Sequence, residues 1–175
     1  DPLRLALKHP GYFSHLRHGA PHSVLKTGRY DADGLEWTLI PGDFAATFET
    51  AVFPPDLIYY DMFSAKTNAH LWTPEHFARL FAFCAPKPAE IYTYSASTAV
   101  RAALLSVGFY VAPGIATGPK AETTVAYSRP TKTKMLGADW LDRWKRSHVR
   151  FPAGMEEQHQ PLFESRILSH PQFVD

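Results

Sequence analysis

Asp61 closes a short apolar run, residues 57–60, and opens a polar loop that passes through Phe63, Ser64, Lys66 and Asn68 to Trp72. A carboxylate at the C-terminal end of a strand, followed by a loop of small and polar residues, is where open α/β sheets bind ligands. Such a group can hold a cationic amine or take its proton. Asp43 has the same setting, just past the run 35–40. It can accept a hydrogen bond from the exocyclic amine of a base, or cap the helix that follows. Phe63 and Trp72, both in the loop, are candidates for a site wall.

Other chemistries find less support. Of the nine histidines, His15 and His18 come closest to a metal motif, but no third ligand lies near them, so no metal is expected. Ser64, Ser95 and Ser97 lack the Gly-x-Ser-x-Gly setting of a serine nucleophile. The glycine loop 114–118 neither precedes a helix nor carries the Lys-Ser/Thr pair of a phosphate cradle. Cys84 is the single cysteine, which excludes an intramolecular disulfide and a multi-cysteine zinc site. It ends an apolar helix and reads as a buried structural thiol.

The elements that must position Asp61 alternate. Strands are expected over 35–40, 57–60, 90–94, 109–112 and 123–127. Helices are expected over 44–51, 74–85 and 98–107. Thr73-Pro74 is a cap followed by a first-turn proline, and Gly108 is a helix stop. Phe77, Leu80, Phe81 and Cys84 share one helical face. Upstream, Asp1-Pro2 starts a helix that ends at Pro10-Gly11. Residues 22–30 are ambiguous, with one helical turn closing on Gly28, and 31–34 form a turn. Strands alternating with helices predict an α/β fold with a mostly parallel sheet. No helix separates the last two strands, so the final one should be antiparallel. The pattern divides the chain at 130/131, leaving 131–175 as a basic helix over 138–146 and an extended tail.

At 175 residues and 45% apolar, the chain is long and hydrophobic enough for one globular domain. The net charge of +1 points to no partner by itself. Cations nonetheless outnumber acids from Arg101 to Arg150, which suits a face turned to phosphates. No apolar run approaches the roughly 20 residues of a membrane span, and no signal peptide is visible, so a soluble cytoplasmic protein is expected.

Asp61-x-Phe63-Ser64-Ala65, then Asn68 and Trp72-Thr73, resembles the Asp-x-Phe-Ala/Ser-Pro…Asn-Pro-x-x-Trp-Thr signature of the MnmC-like methyltransferase domain. The downstream segments agree: Tyr92-Thr-Tyr-Ser95 with Val100-Arg101, then Gly108-Phe109-x-Val111, then Gly118-Pro-Lys120-x-Glu122. The resemblance covers roughly 35–127. It implies a Rossmann-like fold, S-adenosylmethionine as cofactor and tRNA as partner. The activity implied is methylation of the aminomethyl nitrogen on a modified wobble uridine. By the same resemblance Asp61 lies at the acceptor amine, and Asp43, Phe44 and Met62 lie at the cofactor. Phe63, Ser64, Lys66, Asn68 and Trp72 would meet the flipped-out base, and Arg101 and Lys120 the phosphates.

The sequence departs from this pattern in three places. Ala65 and Ala69 replace the usual prolines, and Lys66 is shifted by one. The glycine-rich motif of the first strand is absent. In the family's strand order, 3-2-1-4-5-7-6, strands 1 and 2 would be the missing pair, in the middle of the sheet. The expectation is therefore a fragment completed by an upstream segment or a partner chain, or a sheet that closes differently. Two other functions stand beside the first: a non-catalytic RNA-binding or assembly module on a degenerate methyltransferase fold, and a methyltransferase for another amine.

Overall fold

The computed structural model describes residues 19–32, 34–116 and 121–174. The expected first helix, His15, His18 and Lys120 lie outside them. The chain divides into two compact units, 1–51 and 52–175, each described by itself.

In the first unit, helix α1 (Gly19–Thr27) buries Ala20, Pro21 and Val24. It stops where Gly28 adopts φ +81° and its N–H bonds to the Val24 carbonyl. Strands β1 (Arg29–Ala32) and β2 (Leu35–Thr38) then form an antiparallel hairpin, with Tyr30 opposite Trp37. This corrects two expectations. Residues 22–30 are a full helix followed by a strand. Residues 35–38 are half of a hairpin rather than a member of a parallel sheet. The cause is legible in the turn: Asp33-Gly34, with Gly34 at φ +73°, is a strong hairpin signal. A short helix α2 (Phe44–Thr47) and a 3-10 turn (Phe48–Thr50) follow, with the Phe44 and Phe48 rings stacked at 5.1 Å.

The second unit holds a four-stranded sheet ordered β3-β4-β6-β5, from β3 (Leu57–Tyr59), β4 (Glu90–Thr93), β5 (Tyr110–Gly114) and β6 (Thr123–Tyr127). β3 and β4 are parallel, and β6 runs antiparallel to both β4 and β5. Three strands therefore share a direction and the last opposes them, as expected. This order matches the 4-5-7-6 end of the sheet that the resemblance implies. Among the described residues β3 is an edge strand, and its Leu57 and Tyr59 are exposed.

Helix α3 (Pro74–Phe83) starts on Thr73, whose Oγ1 accepts the His76 N–H at 3.2 Å. Its buried face presents Phe77 and Leu80, with Cys84 just past its end, all at most 1% exposed. Burial pushes the Cys84 thiol up to about 11, which makes it inert as a nucleophile. Helix α4 (Thr98–Ser106) ends in a Schellman motif: Gly108 N–H bonds to the Leu105 carbonyl and Phe109 N–H to the Leu104 carbonyl. Gly108 holds φ +108°, and a Cβ there would lie 3.2 Å from the Phe81 ring. α4 packs on both α3 and β5. Along β4, Ile91 and Thr93 turn to the core while Tyr92 faces outward.

The C-terminal segment is not extended. Helix α5 (Ala138–Arg146) inserts Trp140 and Trp144. A 3-10 turn (Glu157–His159) leads into helix α6 (Gln160–Leu168), which packs on α4 through Phe163 and Ile167. Beyond it, the Gln172 side chain covers the outer edge of β5. Its Oε1 accepts the Val111 N–H at 2.7 Å, and its Nε2 donates to the carbonyls of Val111 and Leu136 at 3.0 and 2.8 Å. A polar, proline-punctuated stretch thus packs because a few buried aromatics and one amide anchor it. Among the described residues no helix is long and apolar enough to cross a membrane.

Candidate active site

Asp61 stands exposed one residue beyond the β3 ladder, which Tyr60 extends by donating its N–H to the Tyr92 carbonyl. It opens on a cavity of about 680 Å³ that runs along one face of the sheet. The walls come from the C-terminal ends of β3, β4 and β5 and from the length of β6: Tyr59, Thr93, Tyr94, Pro113, Thr123 and Tyr127. Tyr59 and Tyr92 stand side by side there, ring centroids 6.0 Å apart. Tyr92 donates to Glu90 Oε2 at 2.7 Å, and this bond, more than burial, raises its hydroxyl to about 12. The lining is aromatic, carries one carboxylate, and lies within the roughly 300–1,000 Å³ of small-molecule sites. An electron-rich wall and an acid suit a cationic ligand such as a sulfonium or a protonated amine.

The loop after Asp61 is fastened by its backbone carbonyls. Tyr94 donates its hydroxyl to the Met62 carbonyl at 2.8 Å, and Trp72 Nε1 donates to the Phe63 carbonyl at 2.8 Å. The Ser64 carbonyl accepts the N–H groups of Thr67 and Asn68 and closes a tight turn. Tyr60 donates its hydroxyl to the Leu71 carbonyl. Burial drives the Tyr60 hydroxyl far above its ordinary value, so it stays a neutral donor.

A second cavity, of about 580 Å³, lies on the other side of Tyr94. Ser64, Lys66 and Trp72 line it, with Ser95, Ser97, Val100 and Glu122 opposite. Tyr94 lines both cavities.

These placements redraw the expected site. Asp61 faces the first cavity, and Ser64, Lys66 and Trp72 face the second. Trp72 is only 4% exposed and packs at near right angles against Tyr60, Phe77 and Tyr94. Phe63 is exposed and lines neither cavity, so it and Trp72 do not flank one slot. Met62 and Asn68 are half-buried and bound through their backbones. Asp43 caps α2 without a side-chain bond to it, its carbonyl accepting from Ala46 N–H and Thr47 Oγ1. Asp43 and Phe44 belong to the first unit.

Arg101 is the clearest correction. It was expected to meet phosphates, but its side chain is 3% exposed. Its Nε donates to Thr124 Oγ1, one terminal nitrogen to Glu122 Oε1 at 3.0 Å, and the other to the Thr123 carbonyl at 2.7 Å. The guanidinium is a bracket between α4 and β6. Among the basic residues further on, Arg150 is held by the Lys145 carbonyl and Glu164, while Lys132, Lys134, Arg143 and Arg146 are exposed.

Sequence reasoning missed Tyr94, Ser95, Ser97 and Glu122 as site residues. The strand-end rule that selected Asp61 applies equally to Tyr94 and Ser95, which follow β4. Glu122 lay in plain view beside Lys120 but had no visible partner until the fold brought it to Arg101. Among the described residues no cluster could hold a metal ion.

The profile of a family described as S-adenosyl-L-methionine-dependent methyltransferases matches residues 12–129, and the chain belongs to that family. Its curated relatives include the tRNA 5-methylaminomethyl-2-thiouridine biosynthesis bifunctional proteins MnmC. The one from Cupriavidus necator is 30% identical over 119 residues, 65% of this chain and 18% of that protein. The one from Ralstonia nicotianae is 38% identical over 99 residues, 55% of this chain and 15% of that protein. The chain thus spans less than a fifth of the length of these relatives. MnmC2 from Aquifex aeolicus shares the fold, with a TM-score of 0.63 at 23% identity over 85% of this chain and 50% of that one.

Proposed function

We propose that the protein methylates the aminomethyl nitrogen of a modified wobble uridine in tRNA, as a cytoplasmic enzyme using S-adenosylmethionine. One observation carries the reading: a lone exposed carboxylate, Asp61, at the end of β3 beside an aromatic cavity of about 680 Å³. Similarity to the MnmC proteins supports the choice of substrate.

The cofactor supplies an electrophilic methyl group on a sulfonium. Met62 and the tyrosine wall would hold it in the second unit. The acceptor must present a neutral nitrogen in line with the methyl carbon, so alignment is the protein's main task. The Asp61 carboxylate accepts an N–H of that amine and fixes the direction of its lone pair. Methylation would leave that nitrogen cationic. The same carboxylate offsets that charge and receives the proton that leaves.

The test is methyl transfer to tRNA bearing the unmethylated aminomethyl base, with full-length protein and its Asp61→Ala variant. The variant should lose roughly 10²–10⁴-fold in kcat/KM while its fold and cofactor affinity persist. Equal turnover by the two proteins would refute the role of Asp61.

A further inference from the structure

We infer that the cavity of about 580 Å³ beyond Tyr94 receives the base itself, and that Glu122 selects a ring bearing an N–H between two carbonyl-type oxygens or sulfurs, the imide edge of a uracil. This rests on the acceptor being a tRNA base, as proposed above.

Three features carry it. First, the cavity joins an apolar interior, from Trp72, Val100 and Ala121, to a few polar groups at its walls, which is the composition of a pocket for a planar heterocycle. Second, its one carboxylate is held in place. Arg101 is buried, fills its three donor directions, and grips Glu122 Oε1 at 3.0 Å. A carboxylate fixed by a buried guanidinium is oriented before any ligand arrives, so less ordering remains to be done on binding. Third, the remaining polar lining is rich in donors: the Lys66 ammonium and the Ser95 and Ser97 hydroxyls. One acceptor among several donors complements an acceptor–donor–acceptor edge. A uracil presents that edge through O4, N3–H and O2. A cytosine presents an unprotonated N3 at the same place, where a carboxylate repels it.

Arg101 is on this account a positioning residue and Glu122 the specificity-determining one. Tyr94 stands between the base pocket and the Asp61 cavity. A substituent on the ring carbon nearest Tyr94 could thus reach toward the carboxylate while the imide edge stays on Glu122.

The experiment compares two anticodon stem-loop RNAs, one carrying 5-aminomethyluridine at the wobble position and one carrying the same base methylated on N3. Full-length wild-type protein should methylate the first and discriminate against the second by about tenfold or more in kcat/KM, mostly through KM. Glu122→Gln keeps an oxygen for Arg101 but turns a donor toward the ring. It should raise KM for the first RNA and collapse the discrimination, with its affinity for S-adenosylmethionine unchanged. Wild-type protein that methylates both RNAs equally overturns the assignment of Glu122 and leaves the proposed function standing. Glu122→Gln protein that still discriminates as the wild type does overturns it too. Wild-type protein that methylates neither RNA, nor tRNA bearing the aminomethyl base, overturns the proposed function and this inference together.

Discussion

Arg101 shows how far a residue's type is from its role. A guanidinium in a basic stretch invites a phosphate, but this one is carried into the interior, where each of its three nitrogens needs an acceptor. Thr123, Thr124 and Glu122 supply one apiece. Replacing it with Met keeps the volume and strands those acceptors. We expect Arg101→Met to lose roughly 2–4 kcal/mol in urea denaturation, toward the lower end because Glu122 is 43% exposed and can turn to water. The salt dependence of tRNA binding decides the role independently. A phosphate contact would flatten the log–log slope by about 0.7–0.9, whereas a bracket leaves it unchanged. Nothing in the local sequence separates these cases, because the partners lie about two dozen residues downstream on another strand.

At the scale of elements, the segment after α6 works as a clamp. His170 Nδ1 accepts the Gln172 N–H at 3.1 Å, and Gln172 in turn occupies the edge of β5. The His170 ring is buried against Tyr110 and Phe173. Burial lowers its pKa below the ordinary value of about 6.5. The Gly108 backbone opposes the shift without outweighing burial, and Nε2 makes no well-formed hydrogen bond. The folded state therefore binds this proton less readily than the unfolded chain. The contribution to stability is complete above about pH 6.5 and is lost as pH falls toward the lower folded value. Protonation would also remove the acceptor that holds Gln172. We expect the protection factor of the Val111 amide, its exchange rate corrected for the intrinsic fall with pH, to decrease between about pH 7 and 5, and His170→Asn, which keeps an acceptor and cannot titrate, to flatten that response. The elements that were readable in advance were those with local signals: the Thr73-Pro74 start, the Gly108 stop, and the strand and helix at 123–127 and 138–146. α6 was not readable, because its hold comes from Phe163 and Ile167 meeting α4 across the fold.

At the scale of the molecule, periodicity was a sound guide to the sheet and a poor one to the first unit. Three co-directed strands and one opposed strand follow from crossover helices and from their absence between β5 and β6. The run 35–40 looked like another such strand because its residues are apolar. In the structure Trp37, Leu39 and Ile40 are all exposed, and a hairpin partner two residues upstream captures 35–38. The candidate site was half legible. A strand-end acid could be found by rule. The division of its surroundings by Tyr94 into two cavities needed the fold, because its walls come from four strands and the start of α4.

β6 lies between β4 and β5 although it comes after both in the chain. On a ribosome this makes the sheet's middle its last delivery. Until Tyr127 has left the exit tunnel, β4 and β5 have no strand between them, and the edges they will give to β6 remain open to other chains. Nascent chains arrested with their C-terminus emerging before residue 123 should therefore stay protease-sensitive and bind trigger-factor-like chaperones. Those arrested once 127 is clear should gain protection in one step rather than strand by strand, as pulse proteolysis of stalled complexes would show. Stepwise protection would mean that the β3–β4 pair is stable before its neighbour arrives.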